Sequence, residues 1–313
     1  MLHILLRVEE QKVKVFNIIA RKHRGMKSGL LVLLVLILLA GAVFSFVLIR
    51  KLSHGLQIIR NIYYAGVEDK YRALDIYSPS CKGKHPVIFF VHGGAWTVGD
   101  KKDHTAKGLF FAKQGYVFVS VNYRLAPEVS YPDFAYDVAE ALSWVYNHIG
   151  DYCGDQNRIY LMGHSAGAHL VALVSYEEKF LGKCGLDTSI VKGLILLDGG
   201  GYDLVHVHDS FPVLYKTLFK RAFGEDENVL RDASPIAHVE EGSYMPPTLV
   251  IYTDWRLTKA DSQRLINALN EVGAPFEVFY AQGKTHDTVS RDIGKPGDAV
   301  TAEILKFLES IGS

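Results

Sequence analysis

A serine between two glycines is the first feature of the sequence that could carry out chemistry. It is Ser165, in the run Gly163-His164-Ser165-Ala166-Gly167, which follows a short apolar segment and precedes a helical pattern. A serine on such a strand-to-helix turn exposes its hydroxyl above a sheet, and glycines avoid collisions in so tight a turn. The backbone N–H of Ala166, at the helix start, would face a developing oxyanion. The pattern predicts that Ser165 is the nucleophile of a serine hydrolase.

A glycine pair in the run His-Gly-Gly-Ala-Trp, residues 92–96, supplies a second chemical feature. It comes directly after the apolar residues 87–91, so we expect it at the end of a buried strand. Small residues at that position leave backbone N–H groups open to a substrate carbonyl oxygen. We expect Gly94 and Ala95 to donate hydrogen bonds in an oxyanion hole, with Gly93 shaping the loop.

A histidine late in the chain, His286, is the predicted general base. Hydrolases with a nucleophile on such a turn place nucleophile, acid and histidine in that chain order. His286 lies in the loop after the last predicted strand, from which an imidazole can reach the top of a sheet. His92 is expected to fix its own loop by a hydrogen bond and not to act as the base.

The elements that must position these residues alternate along the chain from about residue 67. Strands are expected at residues 71–77, 87–91, 116–121, 158–162, 191–197, 249–252 and 276–280, and helices at 105–114, 134–149, 166–176, 260–272 and 301–311. This alternation predicts an α/β fold with a mostly parallel central sheet and helices on both faces.

Residues 200–246 show no clear strand and are expected to form a helical excursion over the sheet edge. They carry the aromatic residues Tyr202, Phe211, Tyr215, Phe219 and Phe223. Together with Trp96, a predicted substrate-binding residue, these side chains could wall a substrate pocket, or they could be plain core.

Three linked motifs resemble the carboxylesterase branch of the α/β-hydrolases. They are the runs at residues 92–96 and 163–169 and the run Asn-Tyr-Arg-Leu-Ala-Pro at residues 122–127. Within that branch, the chain resembles the group that contains hormone-sensitive-lipase-like esterases, feruloyl-esterase-like enzymes and kynurenine formamidase. The resemblance covers roughly residues 65–311 and implies the α/β-hydrolase fold. It also implies hydrolysis of small-molecule carboxylic esters, sometimes amides, without a metal or an organic cofactor.

The acid is where the sequence departs from this family. The resemblance implies an acid about four residues past the strand at residues 249–252, but Arg256 occupies that position. Asp254 lies two residues earlier in the same loop, and we expect it to orient His286. Asp261 is the local alternative, whereas Asp287 is too close in sequence to His286 to orient it easily.

These residues predict ester hydrolysis through an acyl-enzyme on a Ser165-His286-Asp254 triad. Two other functions stay open at this point. One is an amidase or formamidase with the same triad. The other is a catalytically weak, membrane-displayed binding protein, which the displaced acid makes conceivable.

Composition and charge narrow the classes of partner. The 313 residues contain 34 Lys and Arg against 34 Asp and Glu, so there is no basic excess for nucleic-acid binding. The three cysteines form neither an even disulfide framework nor a metal motif and are expected to be small, half-buried hydrophobes, with a Cys153–Cys184 bridge possible in an oxidising compartment.

The N-terminal residues predict a membrane anchor. Residues 30–49 are uncharged and mostly Leu, Val and Ile, and a helix of that length spans about 30 Å. Residues 1–29 are basic, which predicts a cytoplasmic N-terminus and an extracytoplasmic catalytic domain, periplasmic in a bacterium. A linker over residues 50–66 and a catalytic domain over 67–313 would follow. Alternatively, translation from Met26 would make the apolar run a secretory signal.

Overall fold

Eight strands form one sheet within residues 55–312, the part of the chain that the computed structural model describes. The strands are β1 (Leu56–Tyr63), β2 (Ala73–Pro79), β3 (His85–Val91), β4 (Val117–Val121), β5 (Gly154–His164), β6 (Val191–Leu197), β7 (Thr248–Tyr252) and β8 (Phe276–Tyr280). Their order is β1-β2-β4-β3-β5-β6-β7-β8. The β1–β2 and β2–β4 pairs are antiparallel and the other pairs are parallel, as predicted. Strand β1 lies in the segment expected to be a linker.

Helices connect the parallel strands, and two more follow the last strand. They are α1 (Thr105–Lys113), α2 (Asp133–His148), α3 (Ala166–Tyr176), α4 (Glu178–Gly182), α5 (Leu204–Ser210), α6 (Pro212–Leu214), α7 (Lys220–Phe223), α8 (Glu227–Asp232), α9 (Arg256–Glu271), α10 (Thr288–Arg291) and α11 (Ala299–Ile311). A π-helical turn, Tyr215–Phe219, separates α6 from α7. Residues 200–246 thus form short helices and turns, in the segment where an excursion is expected.

The central strands are apolar throughout because both of their faces are buried. Along β3, the side chains of Val87, Phe89 and Val91 enter one hydrophobic cluster, and those of Ile88 and Phe90 enter a second. Alternation of side chains along a strand requires this division between the two faces. The helices therefore cover the sheet on both sides, which is the layered architecture predicted from the sequence.

The predicted single-pass membrane topology is corrected by the described helices. None of those within residues 55–312 is long and apolar enough to cross a membrane. The longest, α2 and α9, have 16 residues each, which gives about 24 Å, less than the hydrocarbon thickness of about 30 Å. The expected basic segment and anchor, residues 1–49, lie outside the described residues. The fold class supported here is the α/β-hydrolase fold alone, without the predicted bilayer contact or extracytoplasmic location.

The cysteines pair differently from the bridge considered above. Cys81, in the loop after β2, forms a disulfide with Cys153, just before β5, and their Cα atoms lie 5.3 Å apart. Cys184 keeps a free, half-buried thiol. The bridge therefore joins two loops at the start of neighbouring parallel strands, β3 and β5.

A buried ion cluster joins the antiparallel edge of the sheet to the chain that follows β3. The ammonium Nζ of Lys101 lies 2.6 Å from Oδ1 of Asp75, and both side chains are buried. Lys101 Nζ also donates to Oδ1 of Asn61 at 2.7 Å, and Arg60 pairs with the second oxygen of Asp75 at 3.1 Å. We call residues 92–96 the glycine loop. Because Lys101 follows this loop closely in sequence, the ion cluster fixes the chain just beyond it.

Replacing Asp75 by Asn should destabilise the fold strongly, because Lys101 would remain buried without its counter-charge. Loss of one partner of a buried pair costs about 3–5 kcal/mol. Glu227→Gln, which removes an exposed ion pair with Arg231, is the matched control and should change stability little. Urea unfolding measures both, and equal free energies of unfolding for the two variants would contradict the assignment.

Candidate active site

The turn between β5 and α3 holds Ser165 in a strained conformation, with φ 54° and ψ −121°. A Cβ atom on Gly163 would lie 2.2 Å from the carbonyl oxygen of Gly167, and one on Gly167 would lie 2.1 Å from that of Val91. Both distances are far below a van der Waals contact, so both positions require glycine. The serine is therefore presented at the carboxyl end of a central strand, as the sequence predicts.

His286 contacts Ser165 directly. Its Nε2 atom lies 3.0 Å from the serine Oγ, and its Nδ1 atom lies 2.7 Å from Oδ2 of Asp198. The imidazole lies between the ring of His164, at a centroid distance of 4.8 Å, and the edge-on indole of Trp255, at 4.4 Å. With Nδ1–H donating to Asp198, the lone pair of Nε2 faces the serine hydroxyl, as a general base requires.

Asp198 is the first residue after β6, and its side chain is fully buried. Its carboxylate accepts hydrogen bonds from the backbone N–H of Thr253 (2.8 Å), the hydroxyl of Thr253 (2.9 Å) and the hydroxyl of Thr258 (2.8 Å). Burial alone would raise the pKa of Asp198, but the hydrogen bonds from His286 and Thr253 hold it below its ordinary value. The carboxylate is therefore ionised beside the imidazole.

Asp254, the predicted acid, lies elsewhere. It is exposed and accepts hydrogen bonds from the hydroxyl of Tyr280 and from Nζ of Lys259, and its contacts within residues 55–312 do not include His286. The carboxylate that contacts His286 comes from the end of the neighbouring strand instead. The backbone N–H of Asp198 donates to the carbonyl of Ile251 at 2.7 Å, so Asp198 lies alongside the end of β7.

The two alternative acids are also accounted for. Asp261 is buried and accepts from the backbone N–H groups of residues 201–203 at 2.5, 2.7 and 3.0 Å. Burial raises the pKa of Asp261 to about 7, although those three N–H groups lower it. It supports the glycine-rich loop that begins at Asp198. Asp287 is exposed and pairs with Arg291.

Sequence reasoning missed Asp198, although a signal was present. Asp198 directly follows a buried strand and precedes three glycines, residues 199–201. That arrangement matches the other two loops of the site, each of which places glycines at the carboxyl end of a parallel strand. The family resemblance implies an acid after the strand at residues 249–252, which directs attention away from the end of β6.

The glycine loop after β3 approaches the serine closely. A Cβ atom on Gly93 would lie 2.9 Å from Cβ of Ser165. Gly94, Ala95 and Trp96 all have positive φ, at 121°, 49° and 57°. Within residues 55–312, the backbone N–H groups of residues 93–96 and of Ala166 donate to no backbone carbonyl. Open N–H groups beside a nucleophile can hold an oxyanion.

His92 fixes this loop, as expected from the sequence. Its Nδ1 donates to the carbonyl of Gly93 at 2.7 Å, and its ring stacks on Tyr123 at a centroid distance of 4.6 Å. The hydroxyl of Tyr123 donates to the carbonyl of His92 at 3.2 Å. Burial lowers the pKa of His92, so it stays neutral.

Trp96 does not expose its indole to a substrate. Its side chain is 2% exposed and packs against His169, Phe219 and Phe223, with ring centroids 5.1, 5.2 and 4.8 Å away. The aromatic residues of the excursion are likewise buried apart from Phe211. The core interpretation of this cluster therefore holds, and the predicted contact of Trp96 with substrate is not supported.

An open cleft of about 430 Å³ borders the imidazole on the side of Trp255. It is lined by Thr253, Asp254, Trp255, Lys284, Thr285 and His286. Apolar surface dominates its lining, and the indole of Trp255 is its largest flat wall. The cleft therefore gives solvent access to one side of the His286 imidazole.

Possible metal ligands cluster once in the described chain, away from this site. Glu177, Asp232 and His238 have ligand atoms within 4.8 Å of one another. Their charges are already paired, because Lys179 contacts Asp232 and the Nδ1 of His238 lies 2.6 Å from Glu177. The group is explained as an ion cluster.

Comparison with known proteins finds relatives that are named as esterases. The chain is 32% identical over 271 residues to a protein named probable isoprenylcysteine alpha-carbonyl methylesterase ICMEL1 of Oryza sativa subsp. japonica, covering 81% of this chain and 63% of that protein. It is 33% identical to a protein named probable carboxylic ester hydrolase LipM of Mycobacterium tuberculosis, over 54% of this chain and 41% of that protein. The chain thus spans about six-tenths or less of the length of these relatives.

Solved structures show the same fold. Esterase B of Lactobacillus rhamnosis, in an inhibited form, superposes with a TM-score of 0.71 at 20% identity, covering 82% of this chain and 87% of that one. A truncated carbohydrate esterase from gut microbiota gives 0.68 at 21% identity, covering 82% and 97%. The model of the BD-FAE family matches residues 74–269, more than half of the chain. The chain therefore belongs to the BD-FAE family.

Proposed function

We propose that this chain is a serine carboxylesterase that uses Ser165, His286 and Asp198. The observation that carries the proposal is the hydrogen-bonded line from Ser165 Oγ to His286 Nε2 (3.0 Å) and from His286 Nδ1 to Asp198 (2.7 Å). Open backbone N–H groups lie beside the same serine. The names of the plant and mycobacterial relatives support an ester as the substrate class.

The acylation step follows from this arrangement. His286 takes the proton of Ser165 as its Oγ attacks the ester carbonyl carbon, and the carbonyl oxygen becomes an oxyanion held by N–H groups of Gly94, Ala95 and Ala166. Asp198 holds the imidazole orientation and stabilises the imidazolium. His286 then gives the proton to the leaving alkoxide, which departs as an alcohol and leaves an acyl-enzyme.

Deacylation repeats the same proton transfers with water. His286 removes a proton from a water molecule, the resulting hydroxide attacks the acyl carbon, and the proton returns to Ser165 as the carboxylic acid leaves.

Two alternative functions follow from the sequence. The binding-protein alternative depended on the lack of a carboxylate that could orient His286, and Asp198 offers such a carboxylate. An amide substrate remains an outcome of the activity assay, since an anilide of the same acid can be offered beside the ester.

A fluorophosphonate probe tests whether Ser165 is the nucleophile. We expect the wild-type protein to be labelled and to hydrolyse p-nitrophenyl acetate, and Ser165→Ala to lose both properties while keeping its fold. Ser175→Ala is the matched control, because Ser175 lies on the same helix and donates to the carbonyl of Val171. A folded wild-type protein that neither reacts with the probe nor hydrolyses any ester would refute the proposal.

Asp198→Asn should lower kcat by about 10⁴-fold, because an amide no longer favours the imidazole tautomer that accepts the serine proton. Asp254→Asn should leave kcat within about threefold of wild type, since its carboxylate is exposed and does not contact His286. Steady-state kinetics with circular dichroism of both folded variants measures the contrast. A large loss in Asp254→Asn with a normal rate in Asp198→Asn would return the acid role to Asp254.

Trp255→Ala should weaken binding of bulky alcohol groups. The leaving oxygen must lie next to His286 Nε2, and the cleft beside that imidazole is walled by Trp255. Loss of one aromatic contact costs about 1 kcal/mol, so KM for a benzyl or naphthyl ester should rise about fivefold to tenfold. KM for the methyl ester of the same acid is the internal control. Equal changes for both esters would place the alcohol group elsewhere.

A further inference from the structure

Two side chains from distant parts of the sequence hold the main chain around His286. The Nε2 atom of His164 lies 2.7 Å from the carbonyl oxygen of His286. The Nζ atom of Lys107 donates to the carbonyl oxygen of Ser290 at 2.7 Å and to its hydroxyl at 3.2 Å. Both bonds reach the segment that carries the imidazole, one at the histidine itself and one four residues later.

The hydrogen bond from His164 connects the backbone of His286 to the residue next to Ser165. His164 is the last residue of β5 and precedes Ser165 directly. Its side chain holds the backbone of His286, while the imidazole of His286 contacts the hydroxyl of Ser165. Any shift of the loop against β5 therefore changes the distance between the serine oxygen and Nε2 of the base.

A pocket of about 330 Å³ borders this loop on the side of α1, lined by Asp103, His104, Ala106, Lys107, His164, Asp287, Ser290, Arg291 and Ile293. Val289 and Ile293 anchor the loop in the hydrophobic core, and Gly294 packs against Phe110 of α1. Close packing fixes a segment through many contacts, and a pocket supplies fewer of them. The hydrogen bonds from His164 and Lys107 add a restraint on the pocket side, where both side chains form part of the lining.

His164 is in the protonation state that lets it donate one hydrogen bond to the carbonyl oxygen of His286. Burial and the neighbouring His286 lower the pKa of His164 to about 3, with Lys107 acting in the same direction and Asp198 opposing. A neutral imidazole carries one N–H. Because the carbonyl oxygen of His286 can only accept, that proton must lie on Nε2. A neutral His164 also adds no second positive charge beside the imidazolium that forms during the reaction.

We propose that His164 is a positioning residue that sets the distance between His286 and Ser165, with Lys107 as a second anchor of the same loop. The proposal rests on the serine carboxylesterase mechanism given above. His164 acts through the backbone of His286, so its removal should affect proton transfer more than substrate binding.

The test compares His164→Gln with His164→Asn. The glutamine amide can place an N–H near the position of Nε2, whereas the shorter asparagine amide cannot reach the carbonyl of His286. We expect His164→Gln to keep kcat within about threefold of wild type and His164→Asn to lose about 10- to 100-fold, with KM changed less than about twofold. Ester hydrolysis by purified protein, with thermal unfolding as the fold check, gives these numbers.

A second readout separates positioning from general damage. Proton donation by His286 to the leaving group matters for an alkyl alkoxide and little for p-nitrophenolate, which leaves unaided. The kcat loss in His164→Asn should therefore be larger for an ethyl ester than for the p-nitrophenyl ester of the same acid. Lys107→Met should also lower kcat, by a smaller factor than His164→Asn. This loss should again be larger for the ethyl ester than for the p-nitrophenyl ester.

The outcomes are decisive for the positioning role. Equal kcat values for folded His164→Gln and His164→Asn, whether both normal or both low, would overturn it, and so would an equal loss with both esters. If neither variant folds, an unchanged kcat in Lys107→Met would overturn it. Failure of the esterase proposal appears separately, as a wild-type protein with no turnover and no fluorophosphonate labelling.

Discussion

The parallel alignment of β3, β5, β6 and β7 is the constraint on which the site depends. Parallel strands end at the same edge of a sheet, so the residues that follow them are neighbours whatever their separation in sequence. Here the four strands are followed by the glycine loop, Ser165, Asp198 and Thr253. Each of these carries a donor, an acceptor or a nucleophile. The loop after β8, next to β7, adds His286.

The buried carboxyl groups near the carboxyl ends of these strands all have hydrogen-bond donors from nearby residues. Asp198 accepts from a backbone N–H, two hydroxyls and an imidazole, and Asp261 accepts from three consecutive backbone N–H groups. A buried carboxylate without such partners would become protonated or destabilise the fold. The threonines at residues 253 and 258 therefore keep Asp198 ionised and fixed beside His286.

The alternating elements, the turn at Ser165, the glycine loop and the late position of His286 are all readable from the sequence, because each depends on local pattern, while their catalytic roles stay predictions. A turn that requires glycine on both sides of Ser165 leaves a readable motif, and a buried parallel strand leaves an apolar run. The acid could not be chosen in the same way. Two adjacent strands end with an aspartate nearby, and only the register of β6 against β7 decides which carboxylate meets His286. The burial of Trp96 depends on how residues 200–246 pack against it. A local sequence pattern does not predict such a long-range contact.

The bridge between Cys81 and Cys153 has a consequence for the integrity of the chain. It encloses β3, the glycine loop, α1, β4 and α2 in one covalent loop, whereas Ser165 and Ala166 lie outside it. A single proteolytic cut within residues 82–152 would leave two fragments that remain joined by the sulfur bridge. The oxidised protein could thus be nicked beside its own site and still migrate as one molecule until a reductant separates the halves.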